Sequence, residues 1–184
     1  MFYSSDDLDN SLGSDAREHF RDVFLLRWRG NGIVFKPLPR LPKPMAYGCG
    51  ALIGQTVYLA GGSEQPDATN AMRNFWSLNL ASRAPQWKEL DLWPGPPRTL
   101  AVAGAFGGNF YLFSGTELSG DSQGKTVRRF LRDAYRFDPR RGWNRLADLP
   151  RAAVAAPSPA IVRNERLLIV SGDDGKFVDF EPKI

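Results

Sequence analysis

Cysteine, histidine and long apolar runs are scarce in this chain of 184 residues. It contains one cysteine, Cys49, and one histidine, His19. A single cysteine excludes an internal disulfide bond and any zinc site built from several cysteines. No apolar run approaches the roughly 20 residues of a membrane-spanning helix. A Ser-His-Asp triad would have to use His19, and we interpret the chain as lacking a nucleophile elbow, which disfavours hydrolases of that type.

Blocks of charge of one sign are also absent. The formal net charge is +4, but no run of Lys and Arg exceeds two residues. A nucleic-acid-binding surface needs clustered basic residues, so we predict no nucleic-acid partner and no membrane partner. The acidic segment Met1–Asp9 lacks the basic-then-apolar order of a signal peptide, which leaves the localisation unassigned.

A sequence pattern returns three times along the chain. A short β-branched and aromatic strand ends each time at a closing glycine, Gly62, Gly115 and Gly172, with spacings of 53 and 57 residues. A loop, an aromatic strand and a tryptophan follow the first two copies, and Trp87 and Trp143 lie 56 residues apart. Such a period, with about four short strands per unit, is typical of propeller blades. The pattern therefore predicts an all-β propeller.

The repeat divides the chain into two whole blades between two half blades. We predict a mobile N-terminal segment at 1–12, half blades at 13–43 and 151–184, and whole blades at 44–96 and 97–150. The first half supplies outer strands and the last half supplies inner strands. About three blades are fewer than the four to eight of a closed propeller. Either the chain is part of a longer protein, or two copies form a homodimer that completes a six-bladed ring.

Propeller topology predicts where a ligand would bind. In a four-stranded antiparallel blade, the connection between strands two and three and the connection to the next blade emerge on the same face. A proline followed by a basic residue marks the latter connection, and it predicts a cationic ring of Lys43, Arg98 and Arg151. Because Arg binds a carboxylate through two parallel hydrogen bonds, this ring suits an anionic sugar. The alternative for each residue is a tie between blades through backbone carbonyls.

Two long loops on the same face, 63–74 and 116–132, contribute further candidates. Glu64 and Glu117 each lie two residues beyond a closing glycine, and we predict that they transfer protons between sugar oxygens. The alternative is that both are solvated loop acids. Other polar candidates on the loops are Arg73 and Asn74, predicted to bind substrate, and Asp67, Asp121, Lys125, Arg128 and Arg129.

Ser119–Thr126 approaches the phosphate-binding P-loop pattern, but we reject it. Ser119 occupies the position of the first required glycine, and the residues that follow belong to the repeat. We predict no nucleotide, metal or other cofactor.

The repeat resembles the kelch motif, and part of it is similar to the cyclically permuted branch of the bacterial N-acetylneuraminate mutarotases (epimerases). The segments that carry this resemblance are Gln55–Gly62, Trp76–Asn79, Gln86–Leu90, Trp93–Arg98 and Asn109–Gly115. The resemblance implies a six-bladed ring and cofactor-free interconversion of sialic acid anomers, in which an acid/base group acts and arginines hold the carboxylate. It also implies a bacterial protein of the periplasm or the cytoplasm.

Arg98 matches the Pro-Arg junction of that family. The catalytic glutamate of the family, which lies on a long loop of another blade, has no match in this chain. The alternative function is that of a non-catalytic kelch module that presents loops 63–74 and 116–132 to a protein partner, or of an inactive fragment.

Overall fold

The computed structural model describes residues 18–176, and every regular element within them is a β-strand. The all-β prediction is therefore confirmed. The strands are β1 (Val23–Arg29), β2 (Gly32–Leu38), β3 (Cys49–Ile53), β4 (Thr56–Ala60), β5 (Phe75–Asn79), β6 (Trp87–Glu89), β7 (Val102–Phe106), β8 (Asn109–Phe113), β9 (Thr116–Gly120), β10 (Thr126–Phe130), β11 (Ala134–Asp138), β12 (Gly142–Arg145), β13 (Ile161–Arg163) and β14 (Arg166–Leu168). No helix in this part of the chain is long and apolar enough to cross a membrane.

Two four-stranded antiparallel sheets form the centre of the structure. The first blade has the strand order β3-β4-β5-β6, and the second has the order β7-β8-β11-β12. Strand β3 packs against β7, and β7 packs against β13 and β14, so the first strands of successive units are neighbours. This is the arrangement of blades around a propeller axis.

Aromatic side chains fill the space between the two blades. Phe75 of the first blade lies 4.8 Å, between ring centroids, from both Phe137 and Trp143 of the second. The predicted tryptophans also tie neighbouring units by hydrogen bonds. Trp87 Nε1 donates to Pro39 O at 2.9 Å, and Trp143 Nε1 donates to Asp91 O at 2.7 Å. The repeated tryptophan therefore joins each blade to the unit before it.

Equivalent positions in successive units are fixed by three isolated bridges. The bridges join Ala46 to Ser63, Thr99 to Thr116, and Val154 to Asp173. The residues that follow them, Tyr47, Leu100 and Ala155, have φ values of 58°, 54° and 55°. Leu100 N donates to Tyr47 O at 2.8 Å, and Ala155 N donates to Leu100 O at 2.9 Å. These bonds link the three junctions in succession, and counting from the bridges identifies equivalent residues.

The closing glycines are required by backbone packing at these bridges. Gly62, Gly115 and Gly172 have φ values of 110°, 99° and 98°. A Cβ at Gly62 would lie 2.7 Å from Ala46 O, and a Cβ at Gly115 would lie 2.7 Å from Thr99 O. A side chain is thus excluded both by the left-handed backbone and by the neighbouring strand.

Each end of the described chain carries a two-stranded sheet. Hairpin β1–β2 joins the first blade through Met45 N, which donates to Phe20 O as Arg98 N donates to Met72 O in the next unit. It therefore occupies the place of outer strands, while β13–β14 occupies that of inner strands beside β7. Large apolar side chains stay exposed on both hairpins, Trp28 at 69% and Ile161 at 56%. The predicted N-terminal segment at 1–12, the start of the first half blade and the short segment at 177–180 lie outside the described residues.

Residues 116–132, predicted as a loop, form the hairpin β9–β10 instead. Its turn is held by Asp121 Oδ1, which accepts from Gln123 N at 2.9 Å and from Lys125 N at 2.8 Å. The P-loop-like segment is therefore a strand, a turn and a strand. Residues 120–124 also read G-x-S-x-G, which our sequence interpretation overlooked. They form this turn rather than the strand-to-helix elbow of a hydrolase.

Candidate functional site

Arg98 is fully buried and joins the two blades. Its two terminal nitrogens each donate to one carboxylate oxygen of Asp133 at 2.8 Å, and Nη1 also donates to Ser114 O at 2.8 Å. The guanidinium lies 5.6 Å from the ring centroid of Trp93 and 5.3 Å from that of Tyr135. Such a bidentate, enclosed pair leaves no face of Arg98 for a ligand. The predicted contact between Arg98 and a sugar carboxylate is therefore wrong.

Tyr135 completes this buried pair. Its hydroxyl donates to Asp133 Oδ2 at 2.6 Å. Burial alone would raise the pKa of Asp133, but the hydrogen bonds and charge of Arg98, with the Tyr135 bond, bring that pKa below its usual value. Burial and the Asp133 carboxylate raise the pKa of Tyr135 to about 12. Asp133 is thus charged and Tyr135 is a proton donor at neutral pH.

The predicted cationic ring does not form, because its members are not equivalent. Counting from the bridges, Arg98 corresponds to Met45 and Ala153, two residues beyond the shared position of Lys43 and Arg151. Arg151 donates to the carbonyls of Ala152, Ser171 and Gly172 at 3.0 to 3.2 Å. Arg98 binds the carbonyls of Pro96 and Ser114 in addition to the Asp133 carboxylate. The carbonyls that Arg151 binds all belong to its own half blade, so Arg151 does not form the alternative contact, a tie between blades.

Four of the seven predicted site residues do come together, in a pocket of the first blade. The pocket has a volume of about 450 Å³, and Lys43, Glu64, Arg73 and Asn74 line it together with Trp76 and Leu90. Lys43 Nζ lies 3.1 Å from Glu64 Oε2, and Arg73 Nη2 donates to Trp93 O at 2.7 Å. We call this the first-blade pocket. It combines two cationic groups, two carboxylates (Glu64 and Glu89) and two carboxamides (Asn70 and Asn74) over an apolar wall.

The backbone explains how these residues meet. Asn74 immediately precedes β5, and its carbonyl accepts from Gly61 N at 3.2 Å, which anchors the end of the loop beside the closing glycine. Met72 N donates to Gly62 O at 2.8 Å in the same region. Glu64 lies two residues after Gly62, at the start of the loop. Both ends of the 63–74 segment therefore contribute residues to one pocket.

Asn74 has an unsatisfied buried atom. The residue is 9% exposed, and its side-chain Oδ1 has no hydrogen-bond partner among residues 18–176. Its Nδ2 makes one contact, 3.9 Å to Met45 Sδ. Asn74 and Asp133 each immediately precede the third strand of their blade and are therefore equivalent. The bridges make Met45 the equivalent of Arg98. The first blade therefore has an unpaired buried polar group where the second has a buried ion pair.

Glu117 lies apart from the first-blade pocket. It is on β9 and accepts from Arg129 Nε at 2.6 Å across the hairpin. Glu64 and Glu117 occupy equivalent positions after the closing glycines, yet each pairs with a different cation. The proton-transfer role predicted for Glu117 stays a prediction.

A second pocket, of about 350 Å³, lies between the two loops at the linked junctions. Its lining includes Tyr47, Asp67, Thr99, Leu118 and Arg128. We call it the junction pocket. Asp67 and Arg128 were among the loop residues proposed from the sequence. Tyr47 was not proposed, because no sequence pattern marks it; its backbone has the positive φ that recurs at each junction.

Metal and thiol chemistry have no site in the part of the chain that the structure describes. No group of three or more His, Cys, Asp or Glu residues is placed to hold a metal ion there. Cys49 is buried, and its Sγ lies 3.6 Å from Ala60 O. Burial raises the pKa of this thiol to about 12, so it is not a nucleophile at neutral pH.

Comparisons with known proteins point to one family. The family model described as N-acetylneuraminate epimerase matches residues 38–180. The N-acetylneuraminate epimerase of Haemophilus influenzae (strain PittEE) is 37% identical over 101 residues, which are 55% of this chain and 24% of the relative. The N-acetylneuraminate epimerase of Yersinia enterocolitica is 30% identical over 147 residues, 77% of this chain and 35% of the relative.

Two further matches concern the fold. A kelch domain-containing protein of Vibrio cholerae is 32% identical over 154 residues, 83% of this chain and 40% of the relative. The solved structure of YjhT aligns with a TM-score of 0.54 and 25% identity over 70% of this chain and 34% of that one. With the four-stranded blades, these matches confirm a kelch-type β-propeller. The chain spans 24% to 40% of the length of these curated relatives.

Proposed function

Because the chain belongs to the N-acetylneuraminate epimerase family, we propose that it binds N-acetylneuraminate, a sialic acid, and interconverts its anomers. The observation that carries this proposal is the first-blade pocket. It places Glu64, Lys43, Arg73 and Asn74 around one cavity of about 450 Å³, within the range of small-molecule sites.

The reaction needs only proton transfer. The hydroxyl on the anomeric carbon loses a proton, the bond between that carbon and the ring oxygen breaks, and the ring oxygen gains a proton. The open-chain ketone then closes on its other face by the reverse steps, so no oxidant, reductant or cofactor is consumed. In this proposal Glu64 takes the proton and returns it, as a general base and then a general acid.

The cationic groups would orient the sugar. Arg73 is held at Trp93 O by one terminal nitrogen, and the rest of its exposed guanidinium can face a carboxylate. Lys43 pairs with Glu64 at 3.1 Å and so keeps the base beside the cationic side of the cavity. Holding the sugar carboxylate there would place the adjacent anomeric carbon near Glu64, which is the positioning that proton transfer requires.

The test is the rate of anomer exchange of N-acetylneuraminate, followed by NMR. We expect the protein to accelerate exchange and Glu64→Gln to remove roughly 10²- to 10⁴-fold of that acceleration, the usual contribution of a general base. Glu165→Gln is the matched control, because Glu165 is exposed in the turn between β13 and β14, and we expect it to have little effect. An exchange rate equal to that of the free sugar would leave the non-catalytic kelch module as the function.

We also propose that a second copy completes the ring. Hairpin β1–β2 has the place of outer strands and β13–β14 that of inner strands, so the two can form one four-stranded blade if they come from different copies. In that blade β14 would pair with β1 as β4 pairs with β5. The exposed apolar residues of both hairpins would then be covered.

Light scattering after gel filtration tests this assembly. We expect twice the chain mass of 20.5 kDa. A mass equal to one chain would overturn the homodimer. The exposed hairpins would then need a kelch segment other than a second copy of this chain to cover them.

A further inference from the structure

Asn74 is the group in the first-blade pocket that a merely structural role does not explain. Its side chain is about nine-tenths buried, and its Oδ1 has no hydrogen-bond partner in the described part of the chain. Buried side-chain oxygens in folded proteins nearly always have a partner, and an exception calls for an explanation. A bound ligand with a hydrogen-bond donor is one such explanation.

The second blade shows that the fold can satisfy this position internally. Asp133, the equivalent residue, accepts two hydrogen bonds from Arg98 and one from Tyr135. In the first blade Met45 replaces the arginine and Trp76 replaces the tyrosine, and neither side chain can donate to Asn74 Oδ1 in this arrangement. The first blade thus lacks both side chains that donate to Asp133 in the second blade. Its Asn74 lines a pocket with Lys43, Glu64 and Arg73.

The unpaired Asn74 oxygen restricts which chemical group of a ligand can bind beside it. Asn74 Oδ1 is a neutral acceptor, and its amide nitrogen already faces Met45 Sδ at 3.9 Å. The N–H of a secondary amide can only donate, so in a desolvated site it needs a neutral or anionic acceptor. Nearby, Glu64 is engaged with Lys43 at 3.1 Å. Glu89 and Asn70 also line the pocket, but both residues are exposed. Asn74 Oδ1 is therefore the buried acceptor of this pocket that has no partner and could take an amide N–H.

On the basis of the proposed function, we infer that Asn74 is a specificity-determining residue whose Oδ1 accepts a hydrogen bond from the acetamido N–H of the sugar acid. The carboxylate end of the sugar lies at Arg73 and Lys43, and the carbon bearing the acetamido group lies over Asn74. Asn74 takes no part in proton transfer. It selects sugars that present a donor at that carbon.

Three sugar acids test this inference by calorimetric titration of the whole protein. N-acetylneuraminate carries the N–H, its 5-hydroxy analogue carries an O–H at the same carbon, and its 5-deoxy analogue carries no donor. We expect the 5-deoxy analogue to bind at least tenfold more weakly than the 5-hydroxy analogue, because only the former leaves Asn74 unpaired. Equal affinities of these two analogues would overturn the inference while leaving the proposed function in place. Failure of all three sugars to bind would overturn both.

The variant Asn74→Leu separates a binding role from a structural one. We expect it to remove the difference between the two analogues, and to unfold at the same or a higher denaturant concentration than the parent, because an apolar side chain leaves no unpaired oxygen. Asn144→Leu, an exposed asparagine on β12, is the matched control and should keep the tenfold difference. A tenfold difference that persists in Asn74→Leu would contradict the inference. If that variant does not fold, the comparison of the two analogues on the parent protein still decides.

Discussion

The two whole blades differ in how one pair of equivalent buried side chains is hydrogen-bonded. In the second blade Arg98 and Asp133 form a buried bidentate pair that Tyr135 completes. In the first blade Met45 and Asn74 occupy those positions, and one amide oxygen is left without a partner. The difference teaches that the repeat supplies a fixed frame, in which a change of three side chains turns a paired buried carboxylate into an unpaired buried amide.

The two arrangements also differ in what they contribute to stability. A buried ion pair is a weak net contributor when compared with apolar residues, but the loss of one partner leaves an unpaired buried charge. An unpaired neutral amide is a smaller penalty, of about 1–3 kcal/mol. The second blade should therefore be sensitive to substitution and the first tolerant of it, and the following predictions test that contrast from the largest effect to the smallest.

Replacing Arg98 by the methionine of the first blade should have the largest effect. Arg98→Met leaves the Asp133 carboxylate buried and unpaired, so we expect the free energy of unfolding to fall by about 3–5 kcal/mol in urea denaturation. The exposed cation Lys43 is the control, since Lys43→Met should change it by no more than about 1 kcal/mol. Similar losses in both variants would remove the contrast between the blades.

The double variant Arg98→Met with Asp133→Asn sharpens the same comparison. It recreates the Met45 and Asn74 pair in the second blade without a buried charge, so most of the stability lost in Arg98→Met should return. A double-mutant cycle measures this coupling. If the two losses simply add, Arg98 and Asp133 do not act as a pair.

Tyr135→Phe should have the next largest effect. It removes a hydrogen bond to the charged Asp133 carboxylate, and such bonds contribute about 1.5–3 kcal/mol to the free energy of unfolding. Tyr111→Phe is the control, because the Tyr111 hydroxyl makes no side-chain hydrogen bond in the described structure. Equal thermal stability of Tyr135→Phe and the parent would mean that the tyrosine does not stabilise the buried pair.

Acid should remove the stabilising contribution of the buried pair in the second blade. The pKa of Asp133 is lowered in the folded protein, so its contribution to stability is present above its unfolded pKa of about 3.9. That contribution is lost as the pH falls through the still lower folded pKa. We expect the slope of unfolding free energy against pH below about 4 to be smaller in the Arg98→Met, Asp133→Asn double variant. An unchanged slope would assign the acid sensitivity to other carboxylates.

The sequence predicted the frame better than the site. Closing glycines and tryptophans depend on a steric requirement and a cross-blade hydrogen bond, and both recur at fixed offsets, so their spacing was enough to predict the blades. The junction could not be predicted in this way. Pro97-Arg98 and Pro150-Arg151 look alike locally, but the bridges at Thr99 and Val154 place them two residues out of register.

Asp133 was missed for a related reason. Its importance depends on a contact with Arg98, 35 residues earlier in the chain, which no local pattern reveals. A signal was nevertheless present, because Asn74 and Asp133 both immediately precede the third strand of their blades. Hairpin β9–β10 was missed because its strands are polar and half exposed, and so lack the apolar alternation of a core strand.

The side-chain amide of Asn74 offers the most direct test of the central claim, that the first-blade pocket, where Asn74 is unpaired, is the site that binds the sugar acid. Its ¹⁵N–¹H resonances can be followed by NMR while N-acetylneuraminate is added, with the Arg98 Nε–H resonance as an internal reference from the second blade. We predict a saturable shift at Asn74 and none at Arg98. Shifts centred on Tyr47 and Arg128 in the junction pocket, with Asn74 unchanged, would contradict the account.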